Sequence, residues 1–260
     1  MYFVDTHSHI YTNAFDQDRS DVIERSRKAG VSHIILPNID GNSIESLLAV
    51  SDQYKGYCFP LMGLHPTSVK ENYQEELALI ERALVEKHFW GVGEIGIDLY
   101  WDKTFIKQQK EAFRYQVNLA KKLNLPIVIH TRNAFDEIFE ILDSENDEWL
   151  RGIFHSFSGT YTQYKKILEY KGFLIGIGGV VTYKNGGLDK IVQQMNIEHI
   201  VLETDSPYLS PVPFRGKRNE SSYIVTIANK IAEILNLPIQ QVAEITTRNA
   251  LSLFKLEKKL

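Results

Sequence analysis

Val4-Asp5-Thr6-His7-Ser8-His9 closes an apolar, β-branched run on two imidazoles. At spacing two, both rings lie on one side of an extended strand. The same construction recurs along the chain: Glu94 in Gly93-Glu94-Ile95-Gly96-Ile97-Asp98, His130 in Pro126-Ile127-Val128-Ile129-His130-Thr131-Arg132, His155 in Ile153-Phe154-His155-Ser156-Phe157, and Asp205 in Ile200-Val201-Leu202-Glu203-Thr204-Asp205. Each side chain ends a short apolar run, and each run precedes a helix-like stretch. In a parallel barrel the C-terminal ends of all strands converge on one mouth, so residues far apart in sequence meet there. The reading predicts an α/β fold, a single (β/α)8 TIM barrel over residues 1–260 with an extra C-terminal helix.

Eight strands are expected: Tyr2–His7, His33–Pro37, Tyr57–Gly63, Trp90–Ile97, Pro126–His130, Gly152–His155, Phe173–Ile177 and Ile200–Glu203. Their near-continuous apolar character suits parallel strands buried on both faces. Between them lie helical stripes, such as Ile106, Phe113, Val117, Ala120 and Leu123, or Tyr164, Ile167 and Leu168 with Ser158 or Thr160 as cap. Ile224, Ile227, Ala228, Ile231, Ile234 and Leu235 form a further stripe. The extra helix is expected from near Pro238 towards Phe254, followed by a frayed tail, Leu256–Leu260. No repeat or Pro/Gly-rich linker divides the chain.

A length of 260 residues matches one such barrel. The formal charge of −4 argues against indiscriminate electrostatic binding to nucleic acid, while leaving room for a local basic patch. Cys58 is the only cysteine, which excludes an internal disulfide and a cysteine zinc site. With no secretory n- and h-regions and no apolar run near ~18 residues, the expectation is a cytoplasmic protein without membrane insertion.

Imidazole and carboxylate are metal donors, so His7, His9, Glu94, His130, His155 and Asp205 are the candidate ligands. Asp205 is also placed to accept a proton from water, and Glu94 to bridge two cations. Gly91-Val92-Gly93-Glu94-Ile95-Gly96 matches the dinucleotide fingerprint letter for letter, but it lies within a strand and runs into no helix. Its glycines instead keep the backbone slim around Glu94. Ser156 and Ser158 form no nucleophile elbow. His65, in the loop after the third strand, is a candidate substrate contact. Tyr100 and Trp101 follow the Glu94 strand at the mouth, where an aromatic face can stack on a base. Arg215, Lys217 and Arg218 place three cations in four residues beside Asp205 and are candidate phosphate contacts.

Taken together, Asp5-Thr6-His7-Ser8-His9, Gly63-Leu64-His65-Pro66, Gly93-Glu94-Ile95-Gly96-Ile97-Asp98, His130-Thr131-Arg132, His155-Ser156-Phe157-Ser158-Gly159 and Glu203-Thr204-Asp205-Ser206-Pro207 resemble the TatD family of metal-dependent deoxyribonucleases, within the amidohydrolase-like barrels. Arg248-Asn249-Ala250 also looks like that family. The resemblance implies one cation held by His7, His9, Glu94 and Asp205 and a second by Glu94, His130 and His155. It also implies DNA as substrate, most simply a 3′–5′ exodeoxyribonuclease acting on single strands or frayed 3′ ends. The cations are expected to be Mg, Mn or Zn; four imidazoles favour Zn, Mn or Ni over Mg, whereas such nucleases are commonly Mg-dependent. No obligate protein partner is implied. The alternatives are a dinuclear hydrolase of another ester, lactone or amide, and a non-catalytic metal-binding barrel.

Overall fold

The computed structural model describes residues 1–257 and has eight parallel strands in chain order: β1 (Phe3–Asp5), β2 (Val31–Leu36), β3 (Cys58–Pro60), β4 (Val92–Asp98), β5 (Ile127–Arg132), β6 (Gly152–Phe154), β7 (Phe173–Ile177) and β8 (Ile200–Leu202). Helices α1 (Arg19–Lys28), α2 (Ile44–Gln53), α3 (Tyr73–Glu86), α4 (Ile106–Leu123), α5 (Phe135–Glu145), α6 (Tyr161–Glu169), α7 (Leu188–Val192) and α8 (Ile224–Leu235) alternate with them, and α9 (Ile239–Phe254) follows. Thr160 is the α6 cap, in a reciprocal box with Gln163. The expected frayed tail falls mostly on residues 258–260, outside the described ones.

The regular ladders join β1 to β3 and β4 to β8. Two seams complete the circle. Met62 bridges Val92, with its N–H on Gly91 O at 3.2 Å and its carbonyl accepting from Gly93 N at 3.1 Å. On the other side Thr6 N–H donates to Leu202 O at 3.0 Å, and Ser8 bridges Ser206. The expected TIM barrel is therefore present, and most strands are shorter than expected. β1 stops at Asp5 rather than His7, β2 at Leu36, β3 at Pro60, β6 at Phe154 and β8 at Leu202. Past those points the backbone leaves the ladder to bond across a seam or turn a side chain into the mouth. Pro37, which has no N–H, is one such exit.

Strand side chains alternate between two apolar layers. Phe3, Ile34, Leu36, Ile129, Phe154 and Ile175 pack outward on the helices. Val4, Ile35, Leu61, Val128, Ile153 and Val201 fill the barrel together with Ala250, Leu253 and Phe254 of α9. Pro238 precedes α9 as its cap rather than lying in its first turn. Thr247 Oγ1 donates to Tyr2 O, and Asn249 Nδ2 to Glu198 O and Ile200 O, all at strand N-termini. The extra helix therefore plugs the bottom of the barrel and leaves the C-terminal mouth open.

Asp5 is fully buried at the β1–β8 seam, where its carboxylate accepts from Thr204 N at 2.9 Å and Thr204 Oγ1 at 2.6 Å. Thr204→Val deletes one of these donors and keeps the volume. It is expected to cost about 1–3 kcal/mol of stability, because a buried acceptor loses its partner. A urea midpoint unchanged from wild type would show that the seam does not depend on this bond.

Candidate metal centre

Glu94 projects from the middle of β4 and is 3% exposed. Its backbone is kept slim as expected: a Cβ on Gly93 would stand 2.8 Å from Val128 Cβ, and one on Gly96, at φ +147, would overlap the His130 carbonyl. The two oxygens of its carboxylate face different histidines. Oε2 lies 3.1 Å from His7 Nε2 and 3.6 Å from His9 Nε2. Oε1 lies 2.8 Å from His130 Nδ1, 3.4 Å from His65 Nε2 and 3.8 Å from His155 Nε2. Two donor groups able to hold a metal, His7–His9–Glu94 and His65–Glu94–His130, thus share one carboxylate.

Asp205 Oδ1 stands 3.7 Å from His9 Nε2 and 3.9 Å from both His7 and His155 Nε2. It follows β8 with φ 57, a left-handed conformation that Asp tolerates better than most residues, and its N–H bonds His7 O at 2.9 Å. Asp205 therefore turns into the mouth rather than capping the next segment. All six expected ligands converge.

Their partners on the outer side set which nitrogen points inward. His9 Nδ1 bonds Tyr11 Oη at 3.0 Å, and that hydroxyl donates to Pro37 O at 2.7 Å, so His9 keeps its proton on Nδ1 and presents a lone pair at Nε2. His155 Nδ1 stands 3.0 Å from the fully buried Glu203, and His130 Nε2 bonds Asp98 at 2.8 Å. Their inward atoms, Nε2 and Nδ1 respectively, face Glu94 Oε1 at 3.8 and 2.8 Å. His65 is arranged the opposite way. Thr67 N–H donates to its Nδ1 at 3.2 Å, which leaves the proton on Nε2, so His65, although its spacing fits a metal group, faces the cluster as a hydrogen-bond donor. His7 Nε2 and His9 Nε2 are only 3.1 Å apart, and His7 Nδ1 is buried without a partner. Facing lone pairs beside a carboxylate are what a divalent cation relieves, and the donor set fits one.

The electrostatics agree. Burial, aided by the neighbouring His155, holds His7 well below the usual imidazole range, and burial takes His9 down to about 4. Burial also opposes charge on His130 and His155, but Asp98 and Glu94 carry the first up to about 9, and Glu203 and Glu94 the second to about 10. Burial opposes the Glu94 anion as well, yet the surrounding imidazoles, His65 and His7 foremost, hold it well below the carboxylate range. Burial lifts Asp205 to about 7. Protons on His130 and His155 hold places that a divalent cation would take, so metal binding must release them.

The outer residues fare unevenly. Arg218 grips Asp18 through two bonds of 2.8 and 2.7 Å and lies over Phe15, so its guanidinium already has a partner within the fold. Arg215 lies over Tyr183 at 4.3 Å, and Lys217 is exposed. Their loop is pinned beside the mouth by Asn219, whose Nδ2 donates to Thr204 O and Tyr208 O. Tyr100 and Trp101 are exposed at the rim. Sequence reading missed Tyr11, Asp98 and Glu203. Asp98 and Glu203 were within reach, since both lie in the quoted motifs and ligating histidines need a carboxylate behind them.

A closed barrel with imidazoles and carboxylates gathered at its mouth is the architecture of a metal-dependent hydrolase. The chain belongs to the TatD family of such hydrolases: the family model described as TatD related DNase matches residues 4–255. It is similar to YabD, an uncharacterized metal-dependent hydrolase of Bacillus subtilis strain 168, at 36% identity over 253 residues, 97% of this chain and 98% of that protein. The crystal structure of YjjV, a TatD homologue of Escherichia coli K12, matches with TM-score 0.92 and 27% identity over 98% of each chain. A TatD family hydrolase of Entamoeba histolytica shares the fold, with TM-score 0.82 and 23% identity over 97% of this chain and 98% of that one. Among the described residues no helix is long and apolar enough to cross a membrane.

Glu203→Gln keeps an acceptor for Ser156 N–H, now 2.6 Å from Oε1, but removes the charge behind His155. Metal affinity is expected to fall about 10- to 100-fold with the fold intact. Isothermal titration with Zn or Mn giving a wild-type affinity would refute this role for Glu203.

Proposed function

We propose that the chain, as one unit over residues 1–260, is a divalent-metal-dependent phosphodiesterase of nucleic acids, a 3′–5′ exodeoxyribonuclease acting on single strands or frayed ends in the cytoplasm. The observation that carries the metal arrangement is the division of the Glu94 carboxylate between two histidine sets. In this reading His7, His9, Glu94 and Asp205 hold one cation, and Glu94, His130 and His155 the other. When bound, such cations supply positive charge to the phosphoryl group and acidify water.

The protein groups do the rest. Asp205, whose carboxylate stands within 4 Å of His7, His9 and His155 at the mouth, takes the proton from the attacking water. His65 donates from Nε2 to a non-bridging phosphate oxygen. Asp98, Glu203 and Tyr11 hold the rings in register. DNA as substrate is supported by the family's description and by the cations of the 215–217 loop. Labelled oligonucleotides, 5′- and 3′-tagged, DNA and RNA, tested across a metal series, decide polarity and substrate. Turnover only on lactones, amides or simple esters would overturn the nuclease reading.

Glu94→Gln keeps size but loses the shared charge, so it is expected to lose metal and nearly all activity. Asp205→Asn should retain most of the metal and lose about 10²- to 10⁴-fold in turnover. Full metal content with near-normal turnover in either variant would contradict its assignment.

Arg215→Ala with Lys217→Ala is expected to raise KM for oligonucleotides more than it lowers kcat. Each lost phosphate contact should flatten the salt dependence by roughly 0.7 in log–log slope on single strands. A slope equal to wild type would remove this loop from the substrate path. Arg218→Ala, by contrast, should act on stability, since its guanidinium is bonded to Asp18.

A further inference from the structure

Most arginines with a carboxylate in reach are already paired: Arg19 with Asp16, Arg25 with Glu220, Arg218 with Asp18 and Arg248 with Glu198. Arg132 differs. It lies two residues beyond His130 at the mouth end of β5, and its guanidinium carbon is 3.8 Å from the Tyr100 ring centroid and 5.3 Å from that of Trp101. Among the described residues no carboxylate pairs with it. A guanidinium over an aromatic ring is held there by attraction to the ring face, and Arg132 remains exposed, so its N–H groups can meet a phosphate through two parallel bonds. The stacking rings, 53% and 68% exposed, are themselves unusual to leave in water without a role.

Trp101 also lines a cleft of about 300 Å³, together with Thr67, Lys70, Asp98, Asp102 and Phe105. Two of these walls are the back of the metal centre, since Thr67 bonds His65 and Asp98 bonds His130. Lys70 Nζ and Asp102 Oδ2 stand 3.3 Å apart at the cleft, each side chain 44% exposed. A donor and an acceptor side by side suit the edge of a base, and Trp101 and Phe105 supply aromatic surface. The volume lies at the small end of ligand sites, room for one base rather than several.

We propose that Arg132 and this cleft form a single-nucleotide subsite beside the metal centre. The guanidinium edge binds the nucleotide's phosphate, and the cleft takes its base. The inference deepens the nuclease reading and rests on it for its biological substrate, but its test is a binding measurement. Thymidine 5′-monophosphate and inorganic phosphate are titrated into the metal-loaded protein by calorimetry. The wild type should prefer the nucleotide. Arg132→Ala should weaken nucleotide binding about tenfold or more, the loss of a charge-assisted pair of bonds. Arg132→Lys should recover only part of it, lacking the planar fork. Lys70→Met with Asp102→Asn, both at the surface, should bring the nucleotide down towards inorganic phosphate without changing the latter. Equal nucleotide affinity in Arg132→Ala and wild type would overturn the subsite, as would a wild type that binds nucleotide no better than phosphate. If the binding pattern holds but no oligonucleotide is cleaved, the subsite stands and the nuclease reading falls. Cleavage without the pattern gives the reverse.

Discussion

The structure depends on keeping an ionised carboxylate, Glu94, almost wholly out of water. An isolated buried anion costs several kcal/mol, so it survives only where positive charge or strong donors surround it. Here His65, His130 and His155 do so, from the loop after β3 and the ends of β5 and β6, while His7 and His9 at the end of β1 face the same carboxylate with lone pairs. Only a closed ring of strands brings that many chain segments to one point. The two seams that complete the ring, at Met62–Val92 and Thr6–Leu202, therefore position the candidate metal centre as well as close the fold. The plug of α9 at the opposite end serves the same geometry, since it fills the barrel and leaves one mouth free.

Around that carboxylate, partners with no direct view of the mouth decide what each ring can do. Tyr11 leaves a lone pair facing inward on His9, while Asp98 and Glu203 stand behind His130 and His155, whose other ring nitrogens face Glu94. Thr67 does the reverse to His65, and one backbone N–H separates a ligand from a donor. Four chemically identical side chains thereby acquire two roles. The same principle governs the cations at the rim: Arg218 is bonded to Asp18, whereas Arg132 lies over the Tyr100 ring with no carboxylate paired to it among the described residues.

Much of this was legible in the chain. The six candidate ligands could be read because each follows an apolar run, and parallel strands run towards the same mouth. The eight strands, the α9 extension and the Gly-rich packing around Glu94 follow from local pattern. Strand limits were less legible, because His7, Pro37, Gly63 and His155 continue an extended pattern while their hydrogen bonds have already left the ladder.

By itself, then, the sequence determined the class of fold, the family and the donor set, since these reside in periodicity and in residue types at strand ends. Tertiary structure decided the rest: which oxygen of Glu94 meets which histidine, which ring nitrogen carries the proton, and which arginines are paired. Those depend on partners distant along the chain, Asp18 with Arg218 or Glu203 with His155, brought together only by closure of the barrel. No local pattern encodes such pairings, because a hydrogen bond is set by angstroms of separation in space and not by spacing in sequence.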